Sequence, residues 1–395
     1  MRVQGAVSRG NGAFGSGPQR WYQLHDLDRL AWELAAEQKA ASAVVVGGSV
    51  RHRERWVTEL GAAGRLSEDA ADGPVTGATW FDLASLTKPV TAMAAARLAR
   101  AGVLTLNAPL GELLPEVRAT ASAEVPLEWL LAHRAGLEAH RQLYRDLLRG
   151  AFGSRQGVLI EAASARRSDA TASTAAGFEP IYSDLGYLLA GEAIACAAGK
   201  ELDAVLDEQV LAPLGAAIGS ARQLRARDAG FERCVAATEV VPWRGGALRG
   251  VVHDENAWSW SGEGTSGHAG LFGNIEGVLA VGQAVVDALH GRLSAFLTKE
   301  ELWALAKPRP AGTLRAGFDG KSEHGSSSGA RFGQSTIGHL GFTGTSLWCD
   351  VEREMVGVLL TNRVHPTREN DAIRKARPFA YDRIGQWAER HRAGR

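Results

Sequence analysis

The pattern of apolar and polar positions changes along the chain, from strand-like ends to a helical middle. Residues Trp21–Ala40 carry leucines on one side and predict a helix. The runs Ala43–Val46 and Arg55–Leu60 predict two strands, joined by a turn that contains Gly47 and Gly48. The middle of the chain has helical spacing and predicts short helices over 127–133, 141–149, 156–166, 184–198 and 201–211.

After about residue 232, glycine-rich loops and β-branched runs replace this helical spacing. Two helices are predicted near 275–290 and 298–306, then strands over Ile337–Gly341, Thr345–Asp350 and Met355–Thr361, and a closing helix over Arg368–His391. Strands on both sides of a helical middle are typical of α+β proteins. We therefore predict a disordered arm over residues 1–20, a sheet domain of residues 21–105 and 232–395, and an inserted helical domain of residues 106–231.

A polar pair interrupts the apolar stretch that follows Phe81. Leu86–Ala101 consists almost entirely of helix formers and apolar residues, and Pro89 is tolerated only near a first helical turn, so this helix begins close to Ser85. Ser85 and Lys88 are three positions apart and share a helical face. Burial lowers the pKa of a lysine, and a neutral lysine can accept a serine proton. The alternative is an N-cap serine beside a solvated lysine, although no other lysine here follows a serine at this spacing.

Two further segments contain groups that could complete a site of this kind. Tyr182-Ser183-Asp184 lies just before a predicted helix. Asp184 is either a helix cap or part of the site, and Tyr182 is either a packed aromatic ring or a phenol that shares the serine proton with Lys88. The segment His339–Gly344 ends a late strand, and its glycines allow close backbone approach to a ligand, with amides free to bind an oxyanion. His339 is alternatively an ordinary edge-strand histidine.

In this order, Ser-x-x-Lys, Tyr-Ser-Asp and His-x-Gly resemble the penicillin-recognising serine enzymes. That family includes class C β-lactamases, D-alanyl-D-alanine carboxypeptidases and related esterases and amidases. The resemblance spans roughly residues 25–390. It extends to Leu104–Glu116 and Leu130–Leu137, and the segments Val252–Ala257, Gly267–Phe272 and Thr361–Pro366 are similar to a subgroup that includes muropeptide amidase-like proteins. It implies a β-lactamase/transpeptidase-like fold, with an antiparallel sheet flanked by helices and an inserted all-helical domain.

The resemblance also implies a role for individual residues. The catalytic residues would be Ser85, Lys88 and Tyr182, the oxyanion hole would consist of the amides of Ser85 and Phe342, and Asp184, His339, Gly341 and Thr343 would contact substrate. His339 stands where many relatives have a lysine that steers a substrate carboxylate, and an unperturbed histidine changes its charge near neutral pH. Asp184 replaces a frequent asparagine, and Leu340-Gly341-Phe342 replaces Thr-Gly-Ser. Both departures weaken the expectation of efficient β-lactamase activity.

His253 and His268, with the acidic residues beside His253, suggest a metal site at first sight. Their spacing matches no zinc pattern, and the chemistry implied by the resemblance needs no metal or other cofactor. We expect both histidines to be hydrogen-bonded within a loop that shapes the substrate site. Trp258 and Trp260 either line a glycan or peptide groove or pack in the interior.

Composition limits the possible binding partners of the protein and its cellular compartment. Lys and Arg balance Asp and Glu at 44 each, so we expect no nucleic-acid partner. Three widely separated cysteines argue against a disulfide framework and fit a reducing compartment. Residues 1–20 contain no apolar signal-peptide core, and no apolar run reaches membrane-spanning length. We therefore expect a cytoplasmic protein without a membrane anchor, periplasmic only if the start site is misassigned.

We expect a serine hydrolase that acts through an acyl-enzyme on a small amide or ester. From the resemblance, the substrate would be a peptidoglycan-derived muropeptide, cleaved by carboxypeptidase or amidase chemistry. The alternatives are an esterase of the same fold, a weak β-lactamase, and a non-catalytic ligand-binding protein. The intact Ser85, Lys88 and Tyr182 argue against the last, because a binding protein has no need of them.

Overall fold

A computed structural model of the protein describes residues 25–150 and 154–392, so the arm predicted over residues 1–20 lies outside the described residues. The strands are β1 Ala43–His52, β2 Arg55–Gly64, β3 Phe81–Asp82, β4 Ile218–Ser220, β5 Val240–Val241, β6 Gly246–Ala247, β7 Leu271–Gly273, β8 Asp319–Gly320, β9 Thr336–Leu340, β10 Ser346–Asp350 and β11 Met355–Thr361. The main sheet has the order β2-β1-β11-β10-β9-β8, and all of its neighbouring strands are antiparallel.

Helices occupy much of the remaining chain. They are α1 Asp26–Trp32, α2 Thr87–Arg100, α3 Leu110–Leu113, α4 Leu127–Leu131, α5 Leu143–Leu148, α6 Arg155–Ser164, α7 Asp184–Ala198, α8 Leu202–Leu206, α9 Ala212–Leu214, α10 Ala221–Arg227, α11 Phe231–Cys234, α12 Glu255–Ser261, α13 Ile275–Leu289, α14 Lys299–Ala306 and α15 Ile373–Arg392. The α+β class and the antiparallel sheet flanked by helices are confirmed.

The prediction that Gly47 and Gly48 form a turn is wrong, because both lie inside β1. A β-carbon on Gly47 would lie 2.8 Å from Leu279 of α13, and one on Gly48 would lie 2.8 Å from Trp387 of α15. The two glycines therefore let a helix pack closely on each face of the sheet. The chain turns instead between His52 and Arg55, where β1 and β2 pair to their ends.

Both faces of the main sheet are covered by helices. α13 packs against β1, β10 and β11 on one face, while α1 and α15 pack on the other. The strand β11, which reads Met-Val-Gly-Val-Leu-Leu-Thr, is buried at every position. A strand with both faces covered is expected to be continuously apolar rather than alternating.

A smaller sheet with the order β3-β7-β4 joins three distant parts of the chain. It places the segment that leads into α2 beside the residues just before α13. The helices α2 to α9 fall within residues 87–214. Among them, α2 packs against α7 and α8, and α4 and α6 pack against α7. We retain the division into a sheet domain and an inserted helical domain of residues 106–231 as a proposal.

Candidate active site

Ser85 lies in a tight turn between β3 and α2. Ala84 has a φ of 46°, in the left-handed region that residues other than glycine rarely adopt. Its N–H donates to Asp82 Oδ1 at 2.8 Å. One turn of 3₁₀-helix, Ala84–Leu86, then leads into α2. Ser85 is partly exposed between buried neighbours on both sides. The turn therefore presents this hydroxyl at the surface while its flanking residues stay in the core.

Lys88 lies one turn further along, with its side chain completely buried. Its Nζ lies 2.9 Å from Ser85 Oγ, 2.7 Å from Asp184 Oδ1 and 3.2 Å from the carbonyl oxygen of His268. The first contact confirms that Ser85 and Lys88 face one another. The other two bring the segments around Asp184 and His268 to the same point.

The prediction that burial makes Lys88 neutral is wrong. Burial lowers the pKa of Lys88, but the Asp184 carboxylate and the Tyr182 hydroxyl together raise it more, so the pKa lies above its usual value. An ammonium buried without an anion would lose its proton; one paired with a carboxylate keeps it. At neutral pH this lysine is therefore charged.

Tyr182 packs directly over Lys88, with Nζ 4.8 Å from the ring centroid. On its other side the ring stacks on His133 at 4.6 Å between centroids, with 29° between the planes. Burial raises the pKa of the Tyr182 phenol, and the nearby Lys88 offsets this only in part. Ser85, Lys88 and Tyr182 thus form one group, with Tyr182 as a neutral phenol.

His339 lies beside this group but does not carry the charge expected of it. Its ring centroid is 5.9 Å from that of Tyr182, and its Nδ1 lies 2.9 Å from the carbonyl oxygen of Leu340. Burial and then the positive charge of Lys88 lower the pKa of His339 to about 3. The expectation that this histidine titrates near neutrality is therefore wrong.

The amides of Ser85 and Phe342 are suitable oxyanion donors. Within the part of the chain that the structure describes, neither N–H donates to a protein acceptor. The turn after β9 is held against the turn that carries Ser85, because Thr345 Oγ1 donates to the Leu83 carbonyl oxygen at 3.0 Å. A β-carbon on Gly341 would lie 2.6 Å from that same oxygen, so glycine permits the close approach.

His253 and His268 line the inner side of the site, both hydrogen-bonded as expected. The N–H of His253 donates to Asp82 Oδ2 at 2.7 Å, and its ring stacks on Phe342 at 5.7 Å. His253 Nε2 pairs with Glu239 at 2.9 Å, and His268 Nε2 pairs with Asp254 at 2.9 Å. The loops of His253 and His268 therefore contact the residues around Ser85, through Asp82 and Lys88, and the ring of Phe342.

The two candidate groove tryptophans differ. Trp260 is buried, with the guanidinium of Arg155 at 3.8 Å from its ring, so it packs in the interior. Trp258 lies under Arg244 at 4.2 Å and makes an edge contact with Trp243, which is half-exposed. Only Trp258 is therefore part of an aromatic surface.

Sequence reasoning missed two residues of this site. His133 supports Tyr182, and its Nδ1 accepts the N–H of Ser183 at 3.0 Å. Burial, followed by the charge of Lys88, lowers the pKa of His133 well below its usual value, so the ring is neutral. Asp82 holds the turn before Ser85. His133 belongs to the segment Leu130–Leu137, whose resemblance to the family was the available signal.

The fold and this group of serine, lysine and tyrosine assign the protein to the serine hydrolases. The sequence model of the beta-lactamase family matches residues 27–380, and the chain belongs to that family. A solved structure confirms the fold of this chain. The class C beta-lactamase from Rhodobacter sphaeroides matches it with a TM-score of 0.65 at 17% identity, over 92% of this chain and 99% of the beta-lactamase chain.

Curated relatives cover most of the chain as well. A protein of Escherichia coli K12 named "Putative D-alanyl-D-alanine carboxypeptidase" is 27% identical, over 87% of this chain and 83% of its own length. The N-acetylmuramyl-L-alanine amidase of Bacillus subtilis 168 is 28% identical, over 73% of this chain and 68% of its own. The resemblance to muropeptide-acting members of the family is therefore confirmed at the level of named relatives.

Proposed function

We propose that the protein hydrolyses an amide or ester of a peptidoglycan-derived muropeptide through an acyl-enzyme on Ser85. The observation that carries this is the 2.9 Å contact between Ser85 Oγ and the buried Nζ of Lys88. Beside it lie Tyr182 and two amides that donate to no acceptor among the described residues. A nucleophile held by a proton-handling group next to preorganised donors is the arrangement that acyl transfer requires.

The proposed reaction follows from this geometry. Ser85 Oγ attacks the scissile carbonyl carbon, and the amides of Ser85 and Phe342 stabilise the negative charge on its oxygen. Tyr182 packs against Lys88, which contacts Ser85, so it can pass a proton to the leaving group as the tetrahedral intermediate collapses. Water then attacks the acyl-enzyme by the same route in reverse. Gly341 and Thr343 fix the position of the Phe342 amide.

The polar side chains beside Tyr182 and Lys88 favour an amidase. Asp184 supplies a carboxylate, and His339 is a neutral imidazole whose pKa is lowered to about 3 by burial. A carboxypeptidase substrate ends in a carboxylate next to the scissile bond, and neither group offers it a positive charge. We therefore favour the bond between a muramyl group and L-alanine, which is the bond named in the Bacillus subtilis relative. Carboxypeptidase activity is the second candidate, supported by the name of the Escherichia coli relative.

Product analysis distinguishes these candidates. The purified protein would be incubated separately with N-acetylmuramyl-L-alanyl peptide, with a D-alanyl-D-alanine-terminated pentapeptide and with p-nitrophenyl butyrate. We expect the wild-type protein to cleave the muramyl–L-alanine amide and the Ser85→Ala variant not to cleave it. Release of D-alanine alone would identify a carboxypeptidase, and turnover of the ester alone an esterase. No Ser85-dependent product from any of the three would contradict the proposal.

We keep a cytoplasmic location as part of this proposal. Cys196, Cys234 and Cys349 are all free thiols, as suits a reducing compartment. Among residues 25–150 and 154–392, no helix combines the length and the apolar character needed to cross a bilayer. Hydrolysis of imported muropeptides would fit this location.

A further inference from the structure

Each of the three N–H groups of the Lys88 ammonium has an oxygen acceptor. An ammonium has three N–H donors, and three oxygens surround this one: Ser85 Oγ at 2.9 Å, Asp184 Oδ1 at 2.7 Å and the His268 carbonyl at 3.2 Å. Ser85 Oγ accepts from Lys88, so the proton of the serine hydroxyl points away from the lysine. In this state Lys88 holds the serine in place but has no lone pair with which to activate it.

The aromatic group packed over Lys88 is also protonated. Burial raises the pKa of Tyr182, which is therefore a phenol at neutral pH. His133 does not replace it as a base, because its Nδ1 already accepts the N–H of Ser183 at 3.0 Å. The remaining side-chain acceptor at the lysine nitrogen is Asp184 Oδ1, 2.7 Å from Nζ.

Asp184 is rigidly placed for this purpose. It is the first residue of α7, its own N–H donates to the carbonyl oxygen of Ala139 at 2.9 Å, and the preceding Ser183 caps the helix. Its carboxylate therefore meets Lys88 from a fixed backbone position. An asparagine there, as in many relatives according to the resemblance, would present an amide that holds the lysine but cannot take up its proton.

We propose that Asp184 is the final acceptor of the Ser85 proton, which reaches it through Lys88, so that Asp184 acts as a positioning and proton-holding residue rather than as a substrate contact. This inference rests on the proposed function of Ser85 as nucleophile. It replaces the substrate-binding role that the resemblance implied for Asp184. The structure supports the path by its two short contacts, 2.9 Å from Ser85 Oγ to Nζ and 2.7 Å from Nζ to Asp184 Oδ1.

The step balances without an external reagent. Nζ of Lys88 first gives the proton that it shares with Asp184 Oδ1 to that carboxylate, which frees a lone pair on the nitrogen. As the bond between Ser85 Oγ and the carbonyl carbon forms, the serine hydroxyl turns towards Nζ, its O–H bond breaks and its proton bonds to that lone pair. The lysine is then again an ammonium, and the aspartate is a neutral carboxyl. When the tetrahedral intermediate collapses, the leaving group takes a proton from Tyr182. Lys88 reprotonates the tyrosine, and the proton on Asp184 returns to Lys88.

The competing explanation is purely structural. A carboxylate in the first turn of a helix interacts favourably with the helix dipole, and Asp184 would then only stabilise α7 and the buried ammonium. In that case Asp184→Asn would lower stability without a specific effect on Ser85 acylation. The two roles are separated by the rate of acylation and by its dependence on pH.

The test measures the burst of p-nitrophenolate from p-nitrophenyl butyrate, because this leaving group needs no proton and the burst reports attack by Ser85 alone. Wild type, Asp184→Asn and Asp184→Glu would be compared between pH 6 and pH 10. Asp203→Asn is the matched control, since it removes a buried carboxylate that pairs with Arg222 at 2.8 Å in another helix. At pH 7 we expect the Asp184→Asn burst rate to fall by about 100-fold or more, with KM within about threefold of wild type.

The pH profile carries the decisive information. Without the carboxylate, burial would lower the pKa of Lys88, and a neutral lysine could accept the serine proton directly. The loss in Asp184→Asn should therefore shrink as pH rises, while Asp184→Glu keeps the wild-type shape and Asp203→Asn keeps the wild-type rate. The other titratable side chains facing Lys88 are Tyr182, Tyr187, His133, His339, Asp254 and His268. Every variant retains all of these side chains, so differences between the pH profiles of the burst rate arise from Lys88 and residue 184.

Each alternative outcome is distinct. A burst in Asp184→Asn that equals wild type at every pH, or is faster at pH 7, would overturn the proton-holding role while leaving Ser85 as nucleophile. A loss of the same size at all pH values with a raised KM would indicate the structural role. If Asp184→Asn does not fold, Asp184→Glu decides, since a pH profile unlike that of wild type would contradict the proposal. A wild type without any burst would overturn the proposed function itself.

Discussion

Thr343 Oγ1 donates a 2.7 Å hydrogen bond to the backbone carbonyl oxygen of Asp82. The two residues are far apart in sequence, but this bond fastens the turn after β9 to the strand that leads into Ser85. Thr343 follows Phe342 directly, so the bond also fixes the position of the Phe342 amide relative to the nucleophile. In the proposed mechanism, the precision of the oxyanion hole therefore depends on residues that do not contact the reacting atoms.

Gly341→Ala should damage this arrangement. The new β-carbon would lie 2.0 Å from Thr345 Oγ1 and 2.6 Å from the Leu83 carbonyl oxygen, so the turn must move and take the Phe342 amide with it. Loss of one oxyanion donor typically lowers kcat by about 100- to 1,000-fold. Steady-state kinetics with p-nitrophenyl butyrate measure this. Gly73→Ala is the control, because its β-carbon would meet no atom within 4 Å. Equal kcat in the two variants would exclude a role for the turn.

Lys88→Ala and Tyr182→Phe should each lower kcat on the muramyl–L-alanine amide by about 100- to 10,000-fold, since Tyr182 protonates the leaving group and Lys88 replaces that proton. Their effects should be far from additive in the double variant, as is usual for residues that act as a unit. The comparison requires kcat for wild type, both single variants and the double variant. Losses that multiply in the double variant would mean that Lys88 and Tyr182 act independently of one another.

The neutral state of His339 predicts a flat pH response in substrate binding. Because burial lowers its pKa to about 3, the imidazole stays uncharged from pH 5 to pH 9 and cannot attract a substrate carboxylate in that range. The ratio of KM for carboxylate-terminated and amidated peptides should therefore not change with pH, in wild type or in His339→Gln. A rise of KM near pH 6.5 for the carboxylate-terminated peptide alone would restore the charge-steering role.

Glu239 should contribute stability that disappears in acid. Burial raises its pKa, but hydrogen bonds from His253 and Arg368 and the charge of Arg368 lower it to about 2. Because the folded-state value lies below the unfolded one, the contribution is complete above pH 4.5 and is lost as pH falls towards 2. Glu239→Gln should lower the free energy of unfolding by about 2 kcal/mol at pH 7.

Urea unfolding at pH 7, 4 and 3 tests this, with Glu208→Gln as the control because Glu208 forms an exposed ion pair with Lys200. Such pairs contribute about 0.5 kcal/mol or less. The difference between wild type and Glu239→Gln should narrow at each step towards acid. A difference that is the same at all three pH values would show that the charge of Glu239 does not stabilise the fold.

Much of the fold was predictable because local patterns agree with tertiary packing. The helices over 184–198 and 275–290 and the strand over 355–361 lie where periodicity placed them, since each is strongly apolar and ends at a clear signal such as the left-handed Gly199. The helix Glu255–Ser261 was not predicted. It is a short helix capped by Asp254. The two glycines of β1 were wrongly assigned to a turn. They are needed instead for close packing by helices that are distant in sequence.

For the candidate site, the sequence predicted which residues lie together but not their charges. The spacing of Ser85 and Lys88 and the order of the motifs led to the residues that the structure brings together. The charged state of Lys88 was mispredicted because it depends on Asp184, which lies 96 positions away in sequence and was expected to contact substrate. His339 was misjudged for a similar reason, since its burial beside Lys88 lowers its pKa.

The central claim is that Ser85 forms the acyl-enzyme. The most direct measurement is the intact mass of the protein quenched in acid during reaction with p-nitrophenyl butyrate, and separately with a penicillin, followed by peptide mapping of the modified residue. We predict one acyl group on the peptide that contains Ser85. We predict none in the Ser85→Ala variant, whose circular dichroism should match that of wild type. Acylation of another residue, or hydrolysis by Ser85→Ala at the wild-type rate, would contradict it.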